Sequence, residues 1–278
     1  MSKSELPPEP EPLAAPVVDA HTHLDACGAG TTSEVSAMVD RAERAGVGRV
    51  VTVADDLDAA RWAVDASGMD DRVFAAVAIH PTRAKDFDDV ARSEVERLVN
   101  AGRVVAVGET GLDYYWDFSP ADAQQEAFRW HIDLAKRTGL PLMIHDREAH
   151  ADVLRILAEE GAPPTVILHC FSGDVEFARR CVEQGYVLSF AGTATFRNAR
   201  ELHDVVRLVP DDQYLVETDA PYLTPHPYRG RPNEPYCTAY TVRGIAELRG
   251  ADELSVATNV TRNAERVFNL PSATVGQR

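Results

Sequence analysis

Five of the nine histidines in this 278-residue chain stand where short apolar runs end. His21 and His23 close VVDAHTHL, His80 closes VFAAVAIH, His145 sits in LPLMIHD and His169 in TVILHCFSG. Acidic residues take the same place elsewhere: Glu109 in VVAVGETG, and Glu217 with Asp219 in YLVETDA. A neutral imidazole nitrogen is a good ligand for a borderline divalent metal, and carboxylate oxygens complete such sites. In a strand, residues i and i+2 project from one face, so His21 and His23 are expected to grip one ion together. His21, His23, Glu109, His145, His169 and Asp219 exceed what one four-coordinate ion needs. They suit two ions sharing a carboxylate, with Glu109, midway in strand order, as the expected bridge. A lone histidine at a strand end is more often a hydrogen-bonded structural residue. Six such donors converging on one rim are harder to explain that way.

The elements that must position these residues alternate. Apolar, β-branched runs at 17–24, 49–55, 73–80, 104–111, 140–146, 165–173, 186–192 and 214–220 are separated by amphipathic segments, several ending in glycine. Eight strands, each followed by a helix, within about 250 residues imply a parallel (β/α)8 barrel. Active sites of such barrels are assembled at the C-terminal ends of the strands, where every candidate above falls. No G-x-G-x-x-G follows the first strand, which argues against a doubly wound dinucleotide fold. Residues 17–278 are expected to form a single barrel domain. The Pro- and Glu-rich residues 1–16 are expected to be a disordered leader.

Composition narrows the function. The net charge of −16 argues against broad adhesion to nucleic acid, though not against a phosphate held locally. All but three of the 28 cationic residues (Lys3, Lys85 and Lys136) are arginine, the side chain suited to bidentate phosphate contacts. Cys27, Cys170, Cys181 and Cys237 show no paired spacing, and no apolar run reaches membrane-spanning length. The expected setting is therefore cytoplasmic, with free thiols and no membrane partner. No basic, aromatic-rich surface for stacking single-stranded bases is evident, so any DNA contact is expected to be local. His131 and His203 read as surface or capping residues.

The stretches DAHTHLD, AIHP, VGETGLDYYW, MIHDREAH, LHCFSG, LVETDAPYL and PYRGRPNEP occur in the order seen in TatD-like metal-dependent deoxyribonucleases of the amidohydrolase superfamily, which the chain resembles from residue 17 to about 270. The resemblance implies a TIM-type barrel with two divalent ions (Mg, Mn or Zn). It assigns metal ligation to His21, His23, Glu109, His145, His169 and Asp219. It implies a supporting or proton-handling role for Glu217, and positions near the substrate for His80, Arg147, Arg229 and Asn233, with Tyr115 lining the cleft. Two departures stand out: Thr82 follows His80-Pro81 where a histidine is common, and Pro232 replaces a basic residue.

The expected reaction is phosphodiester hydrolysis by a metal-activated water. Asp219 would orient the water and take its proton, and DNA, as single strands or 3′ ends, would be trimmed 3′ to 5′. Two other enzyme readings use the same centre: a small-molecule amidohydrolase or lactonase, and a D-aminoacyl-tRNA deacylase. A metal bound for stability alone is the non-enzymatic alternative. No lysine lies at the end of the fourth strand, which disfavours lysine-bridged members of the superfamily.

Overall fold

The computed structural model describes residues 5–272. Eight parallel strands follow one another around a barrel: β1 (Val17–Thr22), β2 (Val47–Val53), β3 (Val73–Val77), β4 (Val104–Asp113), β5 (Leu142–Arg147), β6 (Val166–Leu168), β7 (Val187–Phe190) and β8 (Tyr214–Val216), paired in sequence order. Helices α1 (Thr32–Arg44), α2 (Leu57–Ser67), α3 (Asp89–Leu98), α4 (Ala121–Thr138), α5 (His150–Glu160), α6 (Val175–Glu183) and α7 (Arg200–Leu208) fill the crossovers. Two more, α8 (Thr238–Arg249) and α9 (Glu253–Val267), follow β8. This is the TIM barrel expected from the alternation of runs.

The β1–β8 seam is short. A single bridge joins Thr22 to Ala220, reinforced by Asp219 N–H donating to His21 O (2.9 Å) and His23 N–H to Ala220 O (2.8 Å). Buried Asp19 adds a side-chain clasp, its carboxylate accepting from the Thr218 N–H (2.8 Å) and hydroxyl (2.6 Å). Burial pushes the Asp19 carboxyl up to about 8 despite those two bonds.

Apolar residues fill two regions. Inside, Val18, Ala20, Val51, Val53, Met143, Ile167 and Leu215 pack together with Val267, Phe268 and Leu270 from the end of α9 and beyond. Outside, the helices bury their apolar stripes on the strands. The helix starts are well made: Thr31 and Glu34 form a reciprocal capping box on α1, and Asp56, Asp88, Asp174 and Asp252 cap α2, α3, α6 and α9.

Several strands are shorter than the apolar runs suggest. β3 ends at Val77 rather than residue 80, β6 at Leu168 and β8 at Val216. His80, His169, Glu217 and Asp219 therefore stand on the loops just past the strands. The expectation of a disordered leader is corrected over residues 5–16. Leu13 is buried with its N–H on Ala45 O (3.1 Å), Glu9 pairs with Arg44, and Tyr236 and Tyr240 donate to the carbonyls of Pro7 and Pro8. A proline-rich segment lacks donors, and here side chains of the barrel supply them. Residues 1–4 and 273–278 lie outside the described residues. No helix among the described residues is long and apolar enough to cross a membrane.

Candidate metal centre

Two irregularities in the sheet place the ligands. The β1–β2 register shifts between Asp19 and Thr22, and the β4–β5 register shifts between Val107 and Thr110. Such a shift breaks the two-residue alternation and re-aims side chains. After the shift in β1, His21 faces the barrel mouth, its Nδ1 3.1 Å from Met143 Sδ. The shift in β4 falls at Glu109. Gly111 permits the close passage of β4 beside β5, because a Cβ there would lie 2.1 Å from His145 O.

Glu109 is the hub. Its Oε1 lies 2.7 Å from His145 Nδ1, 2.8 Å from His169 Nε2 and 3.6 Å from His80 Nε2, and its Oε2 lies 3.4 Å from His21 Nε2. The second carboxylate, Asp219, sets Oδ1 3.4 Å from His23 Nε2 and 3.8 Å from His21 Nε2. His21 and His169 stack with centroids 3.8 Å apart. All six expected ligands thus converge at the C-terminal mouth.

Their second contacts hold the rings in place. His23 Nδ1 meets Val53 O at 2.9 Å, leaving Nε2 toward the centre. Glu217 Oε1 accepts from His169 Nδ1 (3.0 Å) and the Cys170 N–H (2.8 Å), while its other oxygen takes the Ser189 hydroxyl. Glu217 is therefore a buried orienting carboxylate beneath His169.

Electrostatics follow from crowding in a buried site. Burial acts to raise the Glu109 carboxyl, but His169, His80 and His21 outweigh it and hold Glu109 well below the usual carboxylate range. Burial and the charge of His169 keep His21 low, and burial takes His80 down to about 3. Burial opposes protonation of His145 too, yet its bonds to Asp113 and Glu109 lift it to about 9. Asp219 is held low by the His23 bond and surrounding imidazoles, against the effect of burial.

The donor set fits metal. His21 Nε2 and His23 Nε2 are 3.3 Å apart. Two nitrogens at ~2.0–2.1 Å from one tetrahedral ion would stand about that far from each other. Close groupings with metal-ligating chemistry are His21–His23–Asp219, His21–His169–Glu217, His80–Glu109–His145 and His23–Asp55–Glu109. Two of these groupings share Glu109, whose carboxylate has two oxygens to offer, and two share His21.

Two acidic residues went unnoticed in the sequence. Asp113 Oδ2 lies 2.9 Å from His145 Nε2, while its Oδ1 accepts the N–H groups of Tyr115 and Trp116 (3.0 Å each). Asp55, half exposed, approaches His23 Nδ1 at 3.7 Å. Asp113 sits inside VGETGLDYYW, four residues after Glu109, and that spacing within one long strand was the available signal.

The centre opens into a cleft of about 810 Å³. His80 and Arg147 line it, with Arg83, Lys85, Trp116, Phe118 and Tyr222. Three expected substrate contacts lie elsewhere. Asn233 is buried and donates to Thr218 O (3.1 Å) and Tyr222 O (2.5 Å), so it braces the loop after β8. Arg229 stacks over Phe196, 4.4 Å from its centroid, outside the cleft lining. Tyr115 carries the Arg147 guanidinium 3.9 Å above its ring and does not itself line the cleft. The Thr82 hydroxyl and backbone N–H both face His80 Nδ1, at 2.7 and 3.2 Å.

Other readings change as well. His131 is fully buried rather than at the surface, with Ala127 O and Thr110 Oγ1 on Nδ1 (2.7 and 3.1 Å) and the Ile79 N–H on Nε2. Cys27 and Cys170 are free thiols kept protonated by burial, as small packed side chains are. The rim also carries exposed aromatics that composition did not suggest, Trp116, Phe118 and Tyr222.

Residues 18–269 match the model of the family described as TatD related DNase. The chain is 60% identical to the uncharacterized metal-dependent hydrolase TatD of Mycobacterium tuberculosis, over 91% of this chain and 98% of that one. It is 42% identical to the uncharacterized metal-dependent hydrolase YabD of Bacillus subtilis, with the same coverage, 91% and 98%. The crystal structure of YjjV, a TatD homolog from Escherichia coli, superposes with a TM-score of 0.86 at 30% identity, covering 92% of this chain and 98% of that one.

Proposed function

Starting from the fact that the chain belongs to the TatD-related DNase family, we propose that it is a metal-dependent hydrolase of phosphodiesters that trims single-stranded DNA from the 3′ end. One observation carries the reading: the Glu109 carboxylate, enclosed by His21, His80, His145 and His169, opens onto a cleft whose wall holds Arg83, Lys85 and Arg147. A carboxylate–imidazole centre supplies hydrolytic power, and the cations beside it suit an anionic ester.

His21, His23, Glu109, His145, His169 and Asp219 would hold two divalent ions. Bound there, they would supply Lewis-acid polarisation of the phosphoryl oxygens and a lowered pKa for water. Four imidazoles suit Zn²⁺ or Mn²⁺ better than Mg²⁺, which prefers oxygen ligands.

The chain's own groups do the rest. Asp219, kept ionised by its imidazole neighbours, orients the attacking water and accepts its proton. Glu109 bridges the two halves of the donor set. Glu217 fixes the His169 ring through Nδ1, and Asp113 does the same for His145 through Nε2. Arg147, with Arg83 and Lys85, pairs with non-bridging oxygens and draws the anion in.

The test is hydrolysis of bis(4-nitrophenyl) phosphate, 4-nitrophenyl acetate and a simple lactone by metal-stripped protein resupplied with Mg²⁺, Mn²⁺ or Zn²⁺. The expected result is metal-restored cleavage of the diester well above the other two. Preference for the uncharged ester or the lactone would overturn the phosphodiester reading and favour the lactonase or deacylase chemistry.

A further inference from the structure

Past β4 the chain exposes three aromatic rings in four residues: Tyr115 (50% exposed), Trp116 (44%) and Phe118 (55%). Exposed side chains of this size cost apolar hydration, and grouped together they mark a contact surface. Trp116 and Phe118 lie nearly parallel, 9° between planes with centroids 5.4 Å apart, and both line the cleft that holds the metal centre.

The loop bearing them is held firmly. Asp113 accepts the backbone N–H groups of Tyr115 and Trp116 with one oxygen and meets His145 Nε2 with the other. Ser119 donates to Thr82 O (2.9 Å) and accepts from the Lys85 N–H (3.1 Å), clasping the turn that carries Arg83 and Lys85. Rings and cations are therefore set together, and the Asp113 carboxylate ties the ring-bearing loop to a proposed metal ligand.

The cations here have no carboxylate partner among the described residues, and Arg147 rests on the aromatic loop instead, 3.9 Å over the Tyr115 ring and 5.8 Å over Trp116. Among the described residues no carboxylate lies within ion-pair reach of Arg83, Lys85 or Arg147, whereas arginines of the helical shell are mostly paired. A flat aromatic face interleaved with free cations matches the two parts of a nucleotide, a π-faced base and its phosphate. A protein partner would not require the cations to be unpaired.

We propose that Trp116 and Phe118 form a stacking platform for an unpaired base beside the metal centre, with Arg83 and Lys85 holding its phosphate. This rests on the phosphodiester reading above and gives its single-strand preference a structural source: bases in a duplex already stack on one another, so the platform favours single-stranded ends. The loop is not catalytic; it selects and positions the strand.

The experiment reads binding, not cleavage. Fluorescence anisotropy of a 5′-labelled six-nucleotide DNA strand is measured with EDTA-treated full-length protein at low salt. The same strand with abasic residues at its 3′ end, and a blunt duplex of the same sequence, serve as comparisons. Stacking contributes roughly fivefold or more per base in affinity, so the intact strand should bind about tenfold more tightly than the abasic strand or the duplex. That ratio should fall to near one in Trp116→Ala/Phe118→Ala and be retained in Trp116→Phe. Equal binding of intact and abasic strands by the wild-type protein, equal losses for both strands in the double variant, or no binding to either strand would overturn the proposal. Base-dependent binding without hydrolysis under any metal would instead uphold the platform and remove the phosphodiesterase reading.

Discussion

The barrel mouth and the helical shell handle polar groups in opposite ways. On the shell, charges neutralise one another in pairs at the surface: Arg61 with Glu94 and Asp58, Arg72 with Asp70, Asp40 and Glu43, Arg129 with Glu159 and Glu160. At the mouth, carboxylates and imidazoles are pressed together out of water, and nearby cations are left without carboxylate partners. Exposed pairs contribute ~0–1 kcal/mol each to stability. Buried carboxylates beside imidazoles are costly to desolvate and persist where something further binds them. The lesson is that stability is distributed over the shell, while the mouth is organised for a ligand.

That contrast predicts where mutations act. The largest effect belongs to the mouth. His169→Ala or Asp219→Asn should lower turnover by about two to four orders of magnitude, with retention of the fold checked by circular dichroism. A variant with full metal content and near-normal turnover would remove Asp219 from the proton-handling role. Asp113→Asn should come next. Loss of the carboxylate behind His145 is expected to weaken metal binding about 10- to 100-fold, measured by titration of stripped protein. Unchanged affinity would make Asp113 a support for the aromatic loop alone.

Arg147→Ala should be milder and selective. Losing a charge-assisted contact of about 1.5–3 kcal/mol should raise KM for a diester roughly tenfold or more, with an uncharged ester barely affected. Equal effects on both substrates would reassign Arg147 to holding Tyr115. The smallest effects belong to the shell. Arg61→Ala is expected to leave the urea unfolding midpoint nearly unchanged, with activity intact.

The shell also has a pH signature. Hydrogen bonds from Arg72 hold Asp70 down at about 2, from an ordinary value of 3.8. Its folded pKa is depressed, so this pair stabilises the fold fully above pH 4 and the contribution fades as pH falls toward 2. Asp70→Asn should remove that part of the acid sensitivity. An unchanged slope of stability against pH between 4 and 2 would show that the pair contributes nothing.

Much of this arrangement was legible in the sequence because both fold and centre are written locally. Apolar runs of strand length, punctuated by glycine, gave the barrel, and a polar residue ending such a run could only sit at the mouth. His21, His23, Glu109, His145, His169 and Asp219 share that signal. Contacts that depend on distant segments left no such mark. Asn233 is a polar residue in a loop until Thr218 and Tyr222 carbonyls are seen to claim its amide. His131 lies on α4 with nothing in its neighbours to announce Thr110 and the Ile79 N–H. The leader looks disordered by composition alone, since the groups that fix it, such as Tyr240 and Arg243, are more than 200 residues away. Exposure of Trp116 and Phe118 likewise depends on where the loop after β4 ends up, and apolar residues in a sequence read by default as core.

The central claim is that the mouth is a metal-dependent phosphodiesterase centre. The most direct test is degradation of end-labelled single-stranded DNA by metal-stripped protein resupplied separately with Mg²⁺, Mn²⁺ and Zn²⁺, with His169→Ala alongside. The account predicts trimming from the 3′ end that appears on metal addition and is lost in the variant. Absence of cleavage with every metal, in protein shown to bind two ions per chain, would contradict it.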